Sequence, residues 1–179
     1  MKKFTFILLL LAALLTAGQA WSAAVGTAGH HFKQGNVHLK GDKPDQAIPG
    51  YPRALEINPR YVQAYNSRGN AYNAKDLHDQ AIADYTKALE ISPRDALVYY
   101  NRGNAYLDIG LFDQAIADFT KALEIDPGDA SAYKNRAIAY YFKKAYDRAW
   151  EDIRKAQSLG ARVHPGFLEE LRKASEREK

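Results

Sequence analysis

Between residues 96 and 129 the apolar positions recur with a helical period. Tyr99, Gly103 and Tyr106 stand at steps of four and three, so they share one face of a helix. Gly110 interrupts that face. Asp113 then stands where the first turn of a helix favours an acid. Ala115, Ile116, Phe119, Ala122 and Leu123 make the apolar stripe of a second helix, and Pro127 stops it. The pattern predicts two helices of about a dozen residues joined by a tight turn. Such a hairpin has an apolar face that it cannot bury alone.

The same pattern stands 34 residues earlier, nearly as a copy. Asn70 maps on Asn104, Tyr72 on Tyr106, Ala81 on Ala115 and Pro93 on Pro127. Framed on these prolines, the chain divides into units at 28–61, 62–95, 96–129 and 130–163. A fixed period of this length is the signature of a repeat array, in which stacking buries the apolar faces.

The pattern resembles the tetratricopeptide repeat (TPR) family, whose unit positions 4, 8, 11, 20, 24, 27 and 32 favour aromatic, small, aromatic, Ala, aromatic, Ala and Pro. Unit two supplies Tyr65, Gly69, Tyr72, Ala81, Tyr85, Ala88 and Pro93. Unit three supplies Tyr99, Gly103, Tyr106, Ala115, Phe119, Ala122 and Pro127. Both carry Arg (Arg68, Arg102) at position 7, where the family more often has Leu. The resemblance implies an all-α, right-handed superhelical array of helix-turn-helix hairpins with a C-terminal capping helix.

The outer units depart from the pattern. Unit four keeps Tyr133, Ala137, Tyr140, Ala149 and Ala156 but has Ile153 for the aromatic and Ala161 for the proline. Unit one keeps Gly35, Ala47, Tyr51, Ala54 and Pro59 but has His31 and His38 at the aromatic positions. Its second helix also contains Pro49, Gly50 and Pro52, and an interior proline costs about 3 kcal/mol. The first unit is therefore expected to be irregular and the least stable. Beyond Gly160 the chain is read as turning through His164-Pro165-Gly166. Phe167, Leu168, Leu171 and Ala174 then mark a cap helix and charged tail over 164–179.

The N-terminus has a different character. Met1-Lys2-Lys3 precedes the apolar run Phe4–Leu15, and small residues lead to Ala20. This is the order of a secretory signal peptide, with cleavage after Ala20 or after Ala24. Residues 21–27 are expected to form a short linker. The reading places the protein outside the cytosol, periplasmic or secreted, with a membrane contact only if the segment stays uncleaved. Loss of Lys2 and Lys3 would drop the formal net charge from +4 to +2, so the sequence pI of about 9.1 is a weak argument for nucleic acid, and none is expected as a partner. The chain has no cysteine, which removes disulfides, thiol nucleophiles and thiolate metal sites.

Candidate chemistry is sparse. His31 and His38 are seven apart on one predicted helix, about 10 Å along its axis, too far to share one ion. They are read as helix-packing residues. No Gly-rich phosphate loop and no nucleophile elbow is present. Asp45, Asp79, Asp113 and Asp147 recur at position 18, each in its own first helical turn, and are read as helix N-terminal stabilisers. No catalytic set, metal or cofactor is expected.

Binding is the more promising reading. The resemblance implies a concave groove lined by the first helices, chiefly through positions 2, 5, 9 and 12. The candidate groove residues are Asn36, Asn66, Asn70, Asn73, Tyr100, Asn101, Asn104, Lys134 and Tyr141. Asparagine offers a donor and an acceptor, the complement of an extended peptide backbone. The carboxylate clamp that some family members use for EEVD-type tails is incomplete. Asn70 and Asn101 match it, but Asn66, Ser131 and Asn135 stand where cations belong, and Lys134 and Arg136 are out of phase. The expectation is a non-catalytic scaffold for a protein or extended peptide. The alternative is an envelope component acting by self-association or by packing on other envelope proteins.

Overall fold

A computed structural model describes residues 25–41 and 43–177. The segment read as a signal peptide lies outside the described residues. Helix α1 runs over 25–40, followed by α2 (Pro44–Ala47) and α3 (Gly50–Ile57). Three regular hairpins come next: α4 (Val62–Asn73) with α5 (His78–Ile91), α6 (Ala96–Asp108) with α7 (Phe112–Ile125), and α8 (Ala130–Phe142) with α9 (Tyr146–Ser158). Helix α10 (Pro165–Arg177) closes the array. The fold is all-α and superhelical. Among the described residues no helix is long and apolar enough to cross a membrane.

Each hairpin turns at the same unit position, where the backbone enters the left-handed region. Asp76 (φ 57°), Gly110 (φ 75°) and Lys144 (φ 59°) stand there. Asp95 and Asp129 cap α6 and α8 by accepting bonds from Val98 N–H and from Ser131 and Ala132 N–H. The position-18 acids do sit in first turns, and two also reach the following unit: Asp45 pairs with Lys75, and Asp113 with Lys143 at 2.9 Å.

The core is a column of small residues and one large side chain per unit. Tyr51, Tyr85, Phe119 and Ile153 are all buried. Gly35, Gly69 and Gly103 let the first helix approach these rings. An added Cβ would meet Tyr51 at 2.7 Å, Tyr85 at 2.6 Å and Phe119 at 2.8 Å. Unit four has Ala137 at this position, opposite the smaller Ile153.

Unit one departs in two ways. Its second helix is divided, α2 ending at Ala47 and α3 starting at Gly50, with Ile48 and Pro49 between them in helical backbone. The division places Pro44 in the first turn of α2, Pro49 at the N-cap of α3 and Pro52 in its first turn, where no intrahelical N–H is lost. Residues 25–27, part of the 21–27 stretch expected to be a linker, are instead helical and belong to α1, in which Ala28 is fully buried. Pro165 and Gly166 likewise open α10 rather than precede it, and Gly166 N–H donates to His164 Nδ1 at 3.1 Å.

Candidate functional site

Successive first helices touch one another: α4 packs on α6, and α6 on α8. Closer approach on that side bends the stack toward it, so the first helices form the inner, concave layer. Asn70, Asn73, Asn101 and Asn104 come together there with Tyr85 and Ala74 around a shallow cavity of about 260 Å³. Asn66 adjoins it through a 2.9 Å bond donated by Asn101 Nδ2.

The asparagines are tied within the protein as well. Asn36 and Asn70 accept from the hydroxyls of Tyr51 and Tyr85, at 3.0 and 2.7 Å. In unit three the buried ring is Phe119, which has no hydroxyl, and Asn104 Oδ1 accepts from Asn135 Nδ2 at 2.7 Å instead. Asn135 also reaches the Tyr100 hydroxyl at 3.2 Å, repeating the Asn101–Asn66 link one unit on. Asn73 donates to Asp108 and contacts His78 Nδ1. Recurring asparagine therefore has a structural cause that the sequence reading did not see. It satisfies a buried tyrosine and links neighbouring first helices.

The remaining candidates both lie in unit four, C-terminal to this centre. Lys134 is half-buried and forms no ion pair among the described residues. Tyr141 is drawn into the C-terminal packing instead, with ring centroids 5.9 Å from Tyr146 and 5.6 Å from Phe167. Arg136 is engaged elsewhere, by Asp152. Asn135 and Asp108 belong to the same hydrogen-bond network but are not among the sequence candidates. For Asn135 the signal was the Asn shared by positions 101 and 135 at the repeat spacing; nothing in the repeat marked Asp108.

A second network runs between the two helices of each unit. Arg68, Arg102 and Arg136 grip Asp84, Asp118 and Asp152 with paired bonds of 2.6 to 2.9 Å. The aspartates are buried. Each guanidinium also lies between the tyrosines at positions 4 and 11, at 5.5–6.0 Å from their ring centroids. Arg102 and Arg136 spend a further N–H on Thr86 and Thr120 of the preceding unit. Hydrogen bonds donated to Asp84 and Asp118 hold Arg68 and Arg102 above the ordinary arginine range, against the cost of burial. No group of three or more possible metal ligands occurs among the described residues.

The tetratricopeptide-repeat model matches residues 96–129, and a second TPR model matches 69–110. The chain is a TPR-family protein. No curated protein matches it in sequence. Among solved structures it is similar to that of MamA, at 25% identity and a TM-score of 0.71, covering 79% of this chain and 85% of that one. The TPR domain of Arabidopsis OM64 aligns at 25% identity and a TM-score of 0.64 over 66% of this chain and 98% of that one. The first TPR of Spaghetti (RPAP3), bound to the HSP90 peptide SRMEEVD, aligns at 26% identity and 0.59 over 65% and 91%. These TPR neighbours point to a scaffold for protein or peptide interactions.

Proposed function

We propose that this TPR protein is exported and holds an extended segment of a partner protein along the concave layer, centred on Asn70, Asn73, Asn101 and Asn104. The observation that carries this is the concavity at the junction of units two and three, where four asparagines converge. Asn70 spends its oxygen on Tyr85, and its amide nitrogen donates to no protein group among the described residues. A peptide carbonyl is the natural acceptor for it. Lys134 adds a cation one unit on, suited to a peptide carboxylate. The peptide-bound Spaghetti neighbour supports the mode of binding in kind. It does not extend to the same tail, because Asn66, Ser131 and Asn135 leave this chain without the clamp cations and Arg136 is held by Asp152.

The reading is tested by capture from periplasmic extract with the unaltered protein and with Asn70→Ala/Lys134→Ala. Loss of specific partners from the variant is expected, with unchanged circular dichroism. An identical partner list from both would reject the groove. Export is tested separately by cell fractionation, where recovery of the full-length chain in the cytosol would reject it.

A further inference from the structure

Positions 3 and 10 of a unit lie beneath the second helix of the unit before. Ala64 and Ala71, Val98 and Ala105, and Ala132 and Ala139 are all at most 1% exposed. In unit one these positions are His30 and Val37. His30 is exposed and Val37 is 69% exposed. Around Val37 lies an open cavity of about 510 Å³, lined also by His31, Gln34, His38, Gly50 and Arg53. It is the seat of a helix, vacant among the described residues.

This seat differs in chemistry from the three filled ones. Each of those contains Tyr, Arg, Tyr and Asp at positions 4, 7, 11 and 23, the Arg neutralised by the Asp. Unit one has His31, Gln34, His38 and Gly50 at the same four positions. The carboxylate is gone, and a Cβ at Gly50 would meet the backbone of the first helix closely, 3.0 Å from Gly35 N. Helix α1 over 25–40 carries Lys33, Lys40 and three histidines and no acid. Arg53 adds a cation from α3, while Asp45 of α2 is paired with Lys75.

We infer that the open N-terminal face of unit one receives an acidic amphipathic helix of a partner protein, seated as the second helix of a preceding unit would be. The shape is that of α5 on α6, where Thr86 accepts from Arg102. A carboxylate on the incoming helix takes the place of that hydroxyl and meets the His31, Gln34, His38 and Arg53 donors. Two copies meeting face to face through this seat would oppose like charges, which disfavours self-association there.

The probe is a peptide of residues 76–95, the helix that already fills the equivalent seat in unit three. Short isolated helices are marginal in water, so Ala83→Glu is introduced and bridged by a lactam to Lys87, both on its exposed side. Three forms are compared by fluorescence anisotropy at low salt: Thr86, Thr86→Glu and Thr86→Lys. Binding is expected to be tightest for Thr86→Glu, about tenfold over Thr86→Lys. It should be lost in the protein variant Val37→Glu, whose exposed position leaves the fold intact by circular dichroism. Equal affinity of the three forms, or binding that survives Val37→Glu, overturns the inference. So does failure of all three to bind. A concentration-dependent dimer in sedimentation that Val37→Glu abolishes would give the face to a second copy instead. Binding that appears only after residues 1–24 are removed would give it to that segment. Groove and seat have no lining residue in common, so Asn70→Ala/Lys134→Ala is expected to leave this peptide's affinity unchanged.

Discussion

A Cβ added at Gly103 would come within 2.8 Å of the Phe119 ring, and the other close pairs repeat this: Gly35 with Tyr51, Gly69 with Tyr85. Where the ring is replaced by Ile153, alanine appears at position 137. The two sites therefore form one packing unit, small opposite large. Gly103→Ala is expected to destabilise by about 1–3 kcal/mol despite alanine's better helix propensity, because overpacking a close-packed core forces the ring to move. Phe119→Ile in the same chain should recover most of that loss, since it reproduces the unit-four pair. Urea unfolding of the two singles and the double measures the coupling, and strict additivity would refute it. Burial pushes the Tyr51 phenol up to about 12, against a smaller opposing effect of a hydrogen bond with Ser67. Burial raises Tyr85 as well. The unfolded chain ionises near the ordinary tyrosine value of about 10. These tyrosines thus support the fold fully below that pH and progressively less as pH rises toward 12. An alkaline unfolding transition is expected, delayed in Tyr51→Phe, with ionisation followed at 295 nm. At this scale the position-8 glycines were legible, since small residues opposite aromatic ones imply close approach. The asparagines were not fully legible: nothing local in the sequence says that Asn70 accepts from a tyrosine fifteen residues away.

Each regular unit is held between its two helices by one Arg–Asp rung sixteen residues apart, with the guanidinium between two tyrosine rings. The arginine stands out in the sequence as a departure from the repeat pattern; its partner does not. The aspartate falls inside an otherwise apolar helical stripe, a position where a carboxylate needs a cation. That mismatch, repeated in α5, α7 and α9, was the available signal. Removing one member strands the other: Arg102→Leu leaves the buried Asp118 uncompensated and is expected to cost about 3–5 kcal/mol. Replacing both, Arg102→Leu with Asp118→Ala, should cost far less, because the double change also removes the desolvation cost of the carboxylate. Thermal denaturation of the singles and the double separates these outcomes. A double variant as unstable as Arg102→Leu would mean that the rung stabilises through the Thr86 and tyrosine contacts rather than through charge. The turns between helices were easier to read. Gly110 marked one directly, and the same left-handed position is filled by Asp76 and Lys144 in the neighbouring units. Replacing Lys144 by glycine removes that strain and should stabilise slightly.

A stacked array is stabilised by each unit and by its contacts with its neighbours, so the two ends need not be equal. Here they are opposite in construction. The C-terminal end is closed: Leu171 of α10 is fully buried against Ala137, Ala149 and Ile153, with Phe167 and Leu168 beside it. The N-terminal end lacks the Arg–Asp rung, has a divided second helix and leaves Val37 exposed. Local opening should therefore run inward from unit one. Amide hydrogen exchange is expected to be fastest over 25–57, slowest in α6 and α7, and intermediate in α9 and α10. Leu171→Ala, which removes buried apolar volume at the closed end, should cost about 2–5 kcal/mol and raise exchange in α9 and α10 first. Protection over 25–57 should hardly change, because nearest-neighbour coupling weakens with each intervening unit. If exchange instead rose equally from one end to the other, the array would be a single cooperative block. The asymmetry between its ends would then be one of surface chemistry alone.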